Sequence, residues 1–314
     1  MSLPSSHSAV LVAIDWGTTN RRGYLLDTNG GTLDTCEDEL GLVNVVNKEF
    51  SEAFKLLTAS WMEEHGPMPA VLSGMVGAST GWVEAKYCSL PAGLDDLAQN
   101  LQSVPMDSPV WIVPGVRTRD DIHTPDVIRG EEIQAIAAGA SNENLLIVAP
   151  GTHSKWIQIK DGRIVWFTTF MTGDVHAAVL NHTVISQLHI FNSVVSPEVF
   201  ALGVKTGYSQ NANLTHVIFG ARTRVLFKDL EPKDVSGYLS GLLIGAEISG
   251  ALSTLGTSFP KISLIGSEHL CALYRKAFEL CGADCNPVTE SAIGKTYIDI
   301  AKRAGLLECR YECL

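Results

Sequence analysis

The stretch VAIDWGTTNRRGYLLDTNGG, residues 12–31, decides the fold, because LIVAPGTHSKWIQIKDG, residues 146–162, repeats its plan. Each is an apolar run, a Gly-Thr turn, a second run and a Gly turn. The apolar runs AVLVAID (Ala9 to Asp15) and LLIVA (Leu145 to Ala149) suit short strands buried on both faces. RGYLLD and KWIQI follow as second strands. Thr28-Asn29-Gly30-Gly31 and Asp161-Gly162 are hairpin signals. TLDTCEDEL and RIVWFTTF then read as third strands. This is an internal duplication of one hairpin unit. Two buried hairpins covered by helices predict mixed sheets in an α/β architecture.

Working outward, Phe50, Ala53, Phe54, Leu57 and Trp61 recur at helical spacing, and Gly66-Pro67 ends that helix. Ala70-Val71-Leu72 is a short strand running into the loop SGMVGASTGW, and WIVPG is another strand. RGEEIQAIAAGA opens a helix with acids, which suit the positive end of its dipole. The C-terminal third holds a long helix from Leu230 to Leu255 and a buried strand, ISLIG. A helix capped by Ser267 and stopped by Gly282 follows, then a last helix stopped by Gly305.

The chain has 314 residues, 46% hydrophobic and 18% charged, with a net charge of -11. This is a globular composition with room for two domains. The acidic balance argues against nucleic acid or an anionic membrane as main partner. The opening MSLPSSHSAV lacks the pattern of a secretory leader, and no run of roughly eighteen apolar residues occurs. Seven scattered Cys read as reduced thiols, so a cytoplasmic location is expected. Cys281/Cys285 and Cys309/Cys313 have near-metal spacing but no His to complete a site, so zinc is not expected. Gly294-Lys295-Thr296 imitates the end of a P-loop, but Thr289 stands where its first Gly belongs and the stretch reads as a helix.

Four constellations carry chemistry. Asp15-Trp16-Gly17-Thr18-Thr19-Asn20 ends a buried strand in a turn able to hold phosphate oxygens, with Asp15 as a Mg²⁺ ligand; its alternative is a plain polar hairpin. Gly151-Thr152-His153-Ser154-Lys155 repeats that logic in the second unit, and two such turns facing across a cleft suit a nucleoside triphosphate. Arg129-Gly130-Glu131-Glu132 opens a helix. Phosphoryl transfer to an alcohol needs a carboxylate to take the proton. Glu131 is the candidate, with Glu132 and Asp174 as rivals; a helix-start role is the alternative for the pair, and an N-cap for Asp174. Gly237, Gly241 and Gly245 form a stripe that admits either a packed helix or a flat adenine.

In this order the motifs resemble the acetate and sugar kinase, heat-shock chaperone and actin superfamily, and more closely the 2-dehydro-3-deoxygalactonokinases. AIDWGTTN, GMVGA, PAG at Pro91, RGEE, PGTHSKW, MTGD and SGLLIGAE carry the resemblance over nearly the whole chain. It implies two duplicated actin-like (ribonuclease H-like) domains with mixed sheets flanked by helices, at 1–130, with a final helix in 290–314 packing back, and at 131–289. It implies ATP and Mg²⁺, and transfer to the 6-hydroxyl of 2-dehydro-3-deoxy-D-galactonate in galactonate breakdown. Gly17, Thr18, Thr19, Gly151, Thr152, His153 and Ser154 would bind phosphates, and Gly241, Gly245, Gly266 and Ser267 the adenosine. Gly130-Glu131 sits where related sugar kinases place a Gly-Asp base, with Glu for Asp. Relatives often carry Glu in place of Asp174. Arg22 and Arg129 are candidates for the substrate carboxylate, and Asn20, Ser73, Gly74 and Gly77 for the sugar pocket. The alternatives are a kinase for another sugar or amino sugar, and a non-kinase actin-like ATPase or sugar-sensing protein. A homodimer is left open.

Overall fold

The computed structural model describes residues 8–118, 124–139, 144–188, 190, 196–209, 213–255, 261–287 and 293–307. Cys309 and Cys313, singled out above, lie outside these. In chain order the elements are β1 (Ala9–Trp16), β2 (Arg21–Asp27), β3 (Thr32–Asp38), α1 (Phe50–His65), β4 (Ala70–Gly74), β5 (Tyr87–Ser89), α2 (Leu94–Gln99), β6 (Gln102–Ser103), β7 (Val110–Ile112), β8 (Gly115–Thr118), β9 (Asp126–Ile128) and α3 (Glu131–Ala138). They continue with β10 (Leu145–Ala149), β11 (Ser154–Lys160), β12 (Arg163–Phe170), α4 (Thr172–His182), α5 (Pro197–Ser209), α6 (Leu214–Leu226), α7 (Val235–Leu255), β13 (Ile262–Leu264), α8 (Glu268–Leu280), β14 (Cys285–Pro287) and α9 (Ile293–Arg303).

The chain forms two compact units. One comprises Met1–Asn144, Gln158–Phe167 and Thr289–Leu314; the other comprises Leu145–Ile157 and Thr168–Val288. In the first unit the main sheet runs β3-β2-β1-β4-β7-β6. β1 pairs antiparallel with β2 and parallel with β4, and β4 pairs parallel with β7. Side chains alternate along a strand. Val12, Ile14 and Trp16 therefore share one face, packed with Phe50, Phe54 and Trp61 of α1. Leu11, Ala13 and Asp15 point to the other face, where Tyr297 of α9 bonds Ser73. The three-stranded sheet β5-β8-β9 completes the unit.

The second sheet has the order β12-β11-β10-β13-β14, with β10, β13 and β14 parallel. Third, second and first strand followed by the parallel strands is the order of the first sheet too, so the duplication seen in the sequence is a duplication of topology. Helix α7 is the central helix of this unit. With the turn before it, Pro232–Leu255 is the one described helix long and apolar enough to cross a bilayer, and most of it is buried inside the protein. The helix predicted from Leu230 starts at Val235, after a 3-10 turn at Pro232–Asp234. Ser267 caps α8 as predicted, its hydroxyl accepting from the Leu270 amide, and Gly282 leaves that helix at φ +83°. Gly294-Lys295-Thr296 lies inside α9, as its helical reading required.

Candidate active site

Strand β1 carries Asp15 next to its end, on the α9 face. The register lines up Glu37, Arg22, Asp15 and Ser73 in one row across β3, β2, β1 and β4. Directly opposed side chains on one face of a sheet lie close enough to interact. Arg22 Nε donates to Glu37 Oε2 at 3.0 Å, and about half of its side chain is exposed. Ser73 is 1% exposed and shares a 2.6 Å hydrogen bond with Tyr297 Oη.

The turn after β1 is fastened by its carbonyls. Gly17 N–H donates to Asn20 O at 2.9 Å. The carbonyls of Gly17, Thr18 and Thr19 accept from the amides of Leu42, Val43 and Gly41 at 2.9–3.0 Å. Gly41 is needed for this approach, because a Cβ there would stand 2.2 Å from the Thr19 carbonyl carbon. With the carbonyls consumed on one side, the amides of Thr18 and Thr19 have no acceptor among the described residues, and both residues are exposed. Outward amides and hydroxyls on a tight turn are anion-binding chemistry. Behind the turn, the buried Arg21 grips Asp38 through Nε and Nη2, both at 2.8 Å, and donates Nη1 to Ala53 O.

Helix α3 begins beside Asp15. Gly130 has φ +110°, and a Cβ there would meet Gly74 Cα at 3.2 Å and Asp15 Oδ1 at 3.9 Å. Glu131 Oε2 accepts from the Arg129 amide at 3.1 Å and Glu132 Oε2 from the Gly130 amide at 2.6 Å. The two acids then diverge. Glu131 keeps partial exposure, whereas Glu132 is fully buried. Burial, then the charge of Glu131, lifts the Glu132 carboxyl to about 8. Burial, then Glu131 again, raises Asp15 to about 6. Asp15 and Glu131 thus share one electrostatic site.

In the second unit the turn after β10 is fastened by side chains and by a helix start. Lys155 Nζ donates to His153 O at 3.0 Å. Ser154 Oγ bonds to Tyr274 Oη at 2.8 Å. The Asp174 amide donates to Thr152 O at 3.1 Å, and a Cβ on Gly173 would stand 2.7 Å from Gly151 O. His153 Nε2 and Asp174 Oδ2 are 2.6 Å apart at the surface. Gly266, at φ +152°, lies against Pro150, the residue before this turn.

The structure therefore brings Asp15, Glu131, Gly74, Arg22 and the Gly17–Asn20 turn together in one unit. It gathers Gly151 to Ser154, Asp174 and Gly266-Ser267 in the other. Several expectations need correction. Gly241 and Gly245 are not open to an adenine: a Cβ on either would stand 2.2 Å from the carbonyl oxygen of Phe200 or Val204, so α5 occupies that face. Gly203 and Gly207 of α5 make the reciprocal approach. Asp174 is not an N-cap; Met171 holds that position, and Asp174, the third helical residue, faces His153. Glu132 is sealed from solvent. Ser73 and Gly77 are buried as well, one spent on Tyr297 and the other against Arg129 Nη1. Arg129 is no surface cation: it is 8% exposed, stacks 4.3 Å from the Tyr87 ring centroid and donates Nη2 to Ala85 O.

The residues fit a Mg²⁺ ion in part-hydrated form. Among the described residues no group of three or more His, Cys, Asp or Glu makes a protein-only cage. Mg²⁺ in phosphoryl transfer is held by one or two carboxylates with water and phosphate oxygens. Asp15, a carboxylate whose ionisation is opposed by its surroundings, gains from such a cation.

Comparison with known proteins points the same way. The family model for 2-keto-3-deoxy-galactonokinase matches residues 15–299. The Escherichia coli K12 2-dehydro-3-deoxygalactonokinase is 36% identical over 282 residues, covering 90% of this chain and 93% of that protein. A Rhizobium meliloti protein assigned the same activity is 33% identical, covering 93% and 96%. A Sinorhizobium meliloti crystal structure described as the same kinase superposes with a TM-score of 0.85 at 32% identity, covering 94% of this chain and 98% of that one. These matches show that the chain belongs to the 2-keto-3-deoxy-galactonokinase family, and its two main sheets repeat one strand order.

Proposed function

We propose that the protein transfers the γ-phosphoryl group of ATP to the 6-hydroxyl of 2-dehydro-3-deoxy-D-galactonate. The observation that carries this is the site at β1 and α3, where a carboxylate with solvent access, Glu131, stands beside Asp15 and a turn with outward amides. Glu131 accepts the proton of the attacking hydroxyl, a role in which a positioned carboxylate contributes about 10²–10⁴-fold. Asp15 would hold Mg²⁺, which neutralises charge on the phosphates when bound. The turns Gly17–Thr19 and Gly151–His153 offer amides and hydroxyls to phosphate oxygens, Ser154, buried and bonded to Tyr274, backs the second turn, and Gly266-Ser267 lies near the nucleoside. Of the two arginines, Arg22 is the cation for the acid's carboxylate. It shares a row with Asp15, and its exposed bond to Glu37 exchanges at little cost. Asn20, exposed at the same turn, contacts the sugar. A catabolic role on a small acid is consistent with a cytoplasmic location.

The test is ADP release with a panel of sugars and sugar acids. Turnover of 2-keto-3-deoxy acids and neglect of neutral hexoses is expected. Turnover of neutral hexoses with the acids ignored would overturn the substrate. ATP hydrolysis indifferent to every acid would favour a non-kinase ATPase.

A further inference from the structure

Helix α7 is apolar over most of its length, yet it buries one carboxylate, Glu247, at 3% exposure. A buried carboxylate is costly unless donors surround it. Three donors reach this one. Trp156 Nε1 donates to Oε1 at 2.7 Å, Tyr274 Oη donates to Oε2 at 2.7 Å, and Thr172 Oγ1 donates to Oε2. A phenol whose proton lies on Glu247 can still accept, so the Ser154 hydroxyl donates to Tyr274 Oη.

The groups tied together are those that frame the second turn. Ser154 and Trp156 open β11, directly after it. Thr172 opens α4, and its neighbours Gly173 and Asp174 press on Gly151 and Thr152 and hold His153. Glu247 sits behind all of them and reaches the turn through Ser154 and Thr172. A network of satisfied buried bonds rigidifies what it joins. We infer that Glu247 is a positioning residue: it locks β11 and the start of α4 into one frame, so that the Gly151–His153 amides are preset for phosphate oxygens. This rests on the phosphate role of that turn. The consequence is selective, because the proposed acceptor contacts belong to the other unit. Loosening the frame weakens ATP and spares the sugar acid.

Steady-state kinetics on the full chain, with ATP and acceptor varied separately, tests this. Tyr274→Phe and Thr172→Val each delete one donor and keep the side chain's shape. Each is expected to raise the KM for ATP roughly 5- to 10-fold, the worth of one ordinary hydrogen bond transmitted to the turn. The acceptor KM should stay within about twofold, too small a change to reflect a lost hydrogen bond. Glu247→Gln keeps an oxygen for Trp156 and turns its amide toward two hydroxyls that can rotate to accept, so ATP affinity should be largely retained. Thr152→Val probes the turn directly. If Thr152→Val weakens ATP while folded Tyr274→Phe and Thr172→Val do not, the role of Glu247 is refuted and the turn stands. If Thr152→Val also has no effect, the phosphate role falls and this inference with it. Equal rises in both KM values would mean general loosening and would refute positioning.

Discussion

The two Gly-Thr turns have the same place in the same topology, but they are held by different means. The first is pinned through its own carbonyls by backbone amides of Gly41, Leu42 and Val43. The second is held by Lys155, by the start of α4 and, at one remove, by the buried Glu247 network. Glu132 near the first turn and Glu247 behind the second are both buried carboxylates, and these differ too. Glu247 has three donors, whereas Glu132 receives one backbone amide and leaves Oε1 without a partner among the described residues. Strand order is thus the conserved part of the duplication, and the fastening diverged. The proposed proton acceptor lies with the first turn and the side-chain frame with the second.

The largest expected effect separates the two regions by chemistry. Glu131→Gln should lower kcat by about 100-fold or more, the worth of a lost general base. Asp174→Asn, in the other region, should cost less than about tenfold if its part is the contact it makes with His153. A reversal of these two in a kcat comparison would move the base to the second region.

Next in size is a pH effect confined to the first region. The Glu132 carboxyl is lifted from 4.5 to about 8, so the native state keeps its proton where the unfolded chain has lost it. Stability present below about pH 4.5 is therefore lost progressively until about pH 8. Glu132→Gln removes this loss. Its melting temperature should gain on the wild type as pH rises through that window, and a constant gap would refute the assignment.

The fastening itself is tested with glycines. Gly41→Ala drives a Cβ into the Thr19 backbone and should destabilise by about 1–3 kcal/mol, as overpacking does. Gly151→Ala meets its nearest atom at 3.8 Å and should stay within about 0.5 kcal/mol of the wild type while raising the KM for ATP. Denaturant unfolding gives the first quantity and kinetics the second. Smallest is a control on the helices of the second unit. Gly220→Ala in α6 meets only Tyr238 Oη at 3.9 Å and should stabilise by up to about 1 kcal/mol. Gly207→Ala, 1.9 Å from Leu242 O, should destabilise by at least as much.

The duplicated hairpins were legible because each joins an apolar run to a Gly turn, signals that act locally. The helix starting at Glu131 and the cap at Ser267 were legible for the same reason. What escaped depends on contacts remote in sequence. Glu131 and Glu132 are adjacent acids, and only the placement of α3 makes one buried and the other accessible. The Gly241/Gly245 stripe announced a close approach but not its partner, since the matching Gly203 and Gly207 lie in a helix the patterning did not single out. Strands β5, β8 and β9 have three or four residues each, too few for alternation to register. Tyr297 meets Ser73 across 224 positions, and Glu247 is hidden in an apolar helix; neither bears a local mark of its role.

Amide hydrogen exchange with and without Mg·ATP reads the turns themselves. The Thr18–Thr19 and Gly151–His153 segments should both become protected when nucleotide binds, since N–H groups there would then donate to phosphate oxygens. Saturating ATP that leaves both segments exchanging as before would contradict a phosphate-holding role for either turn.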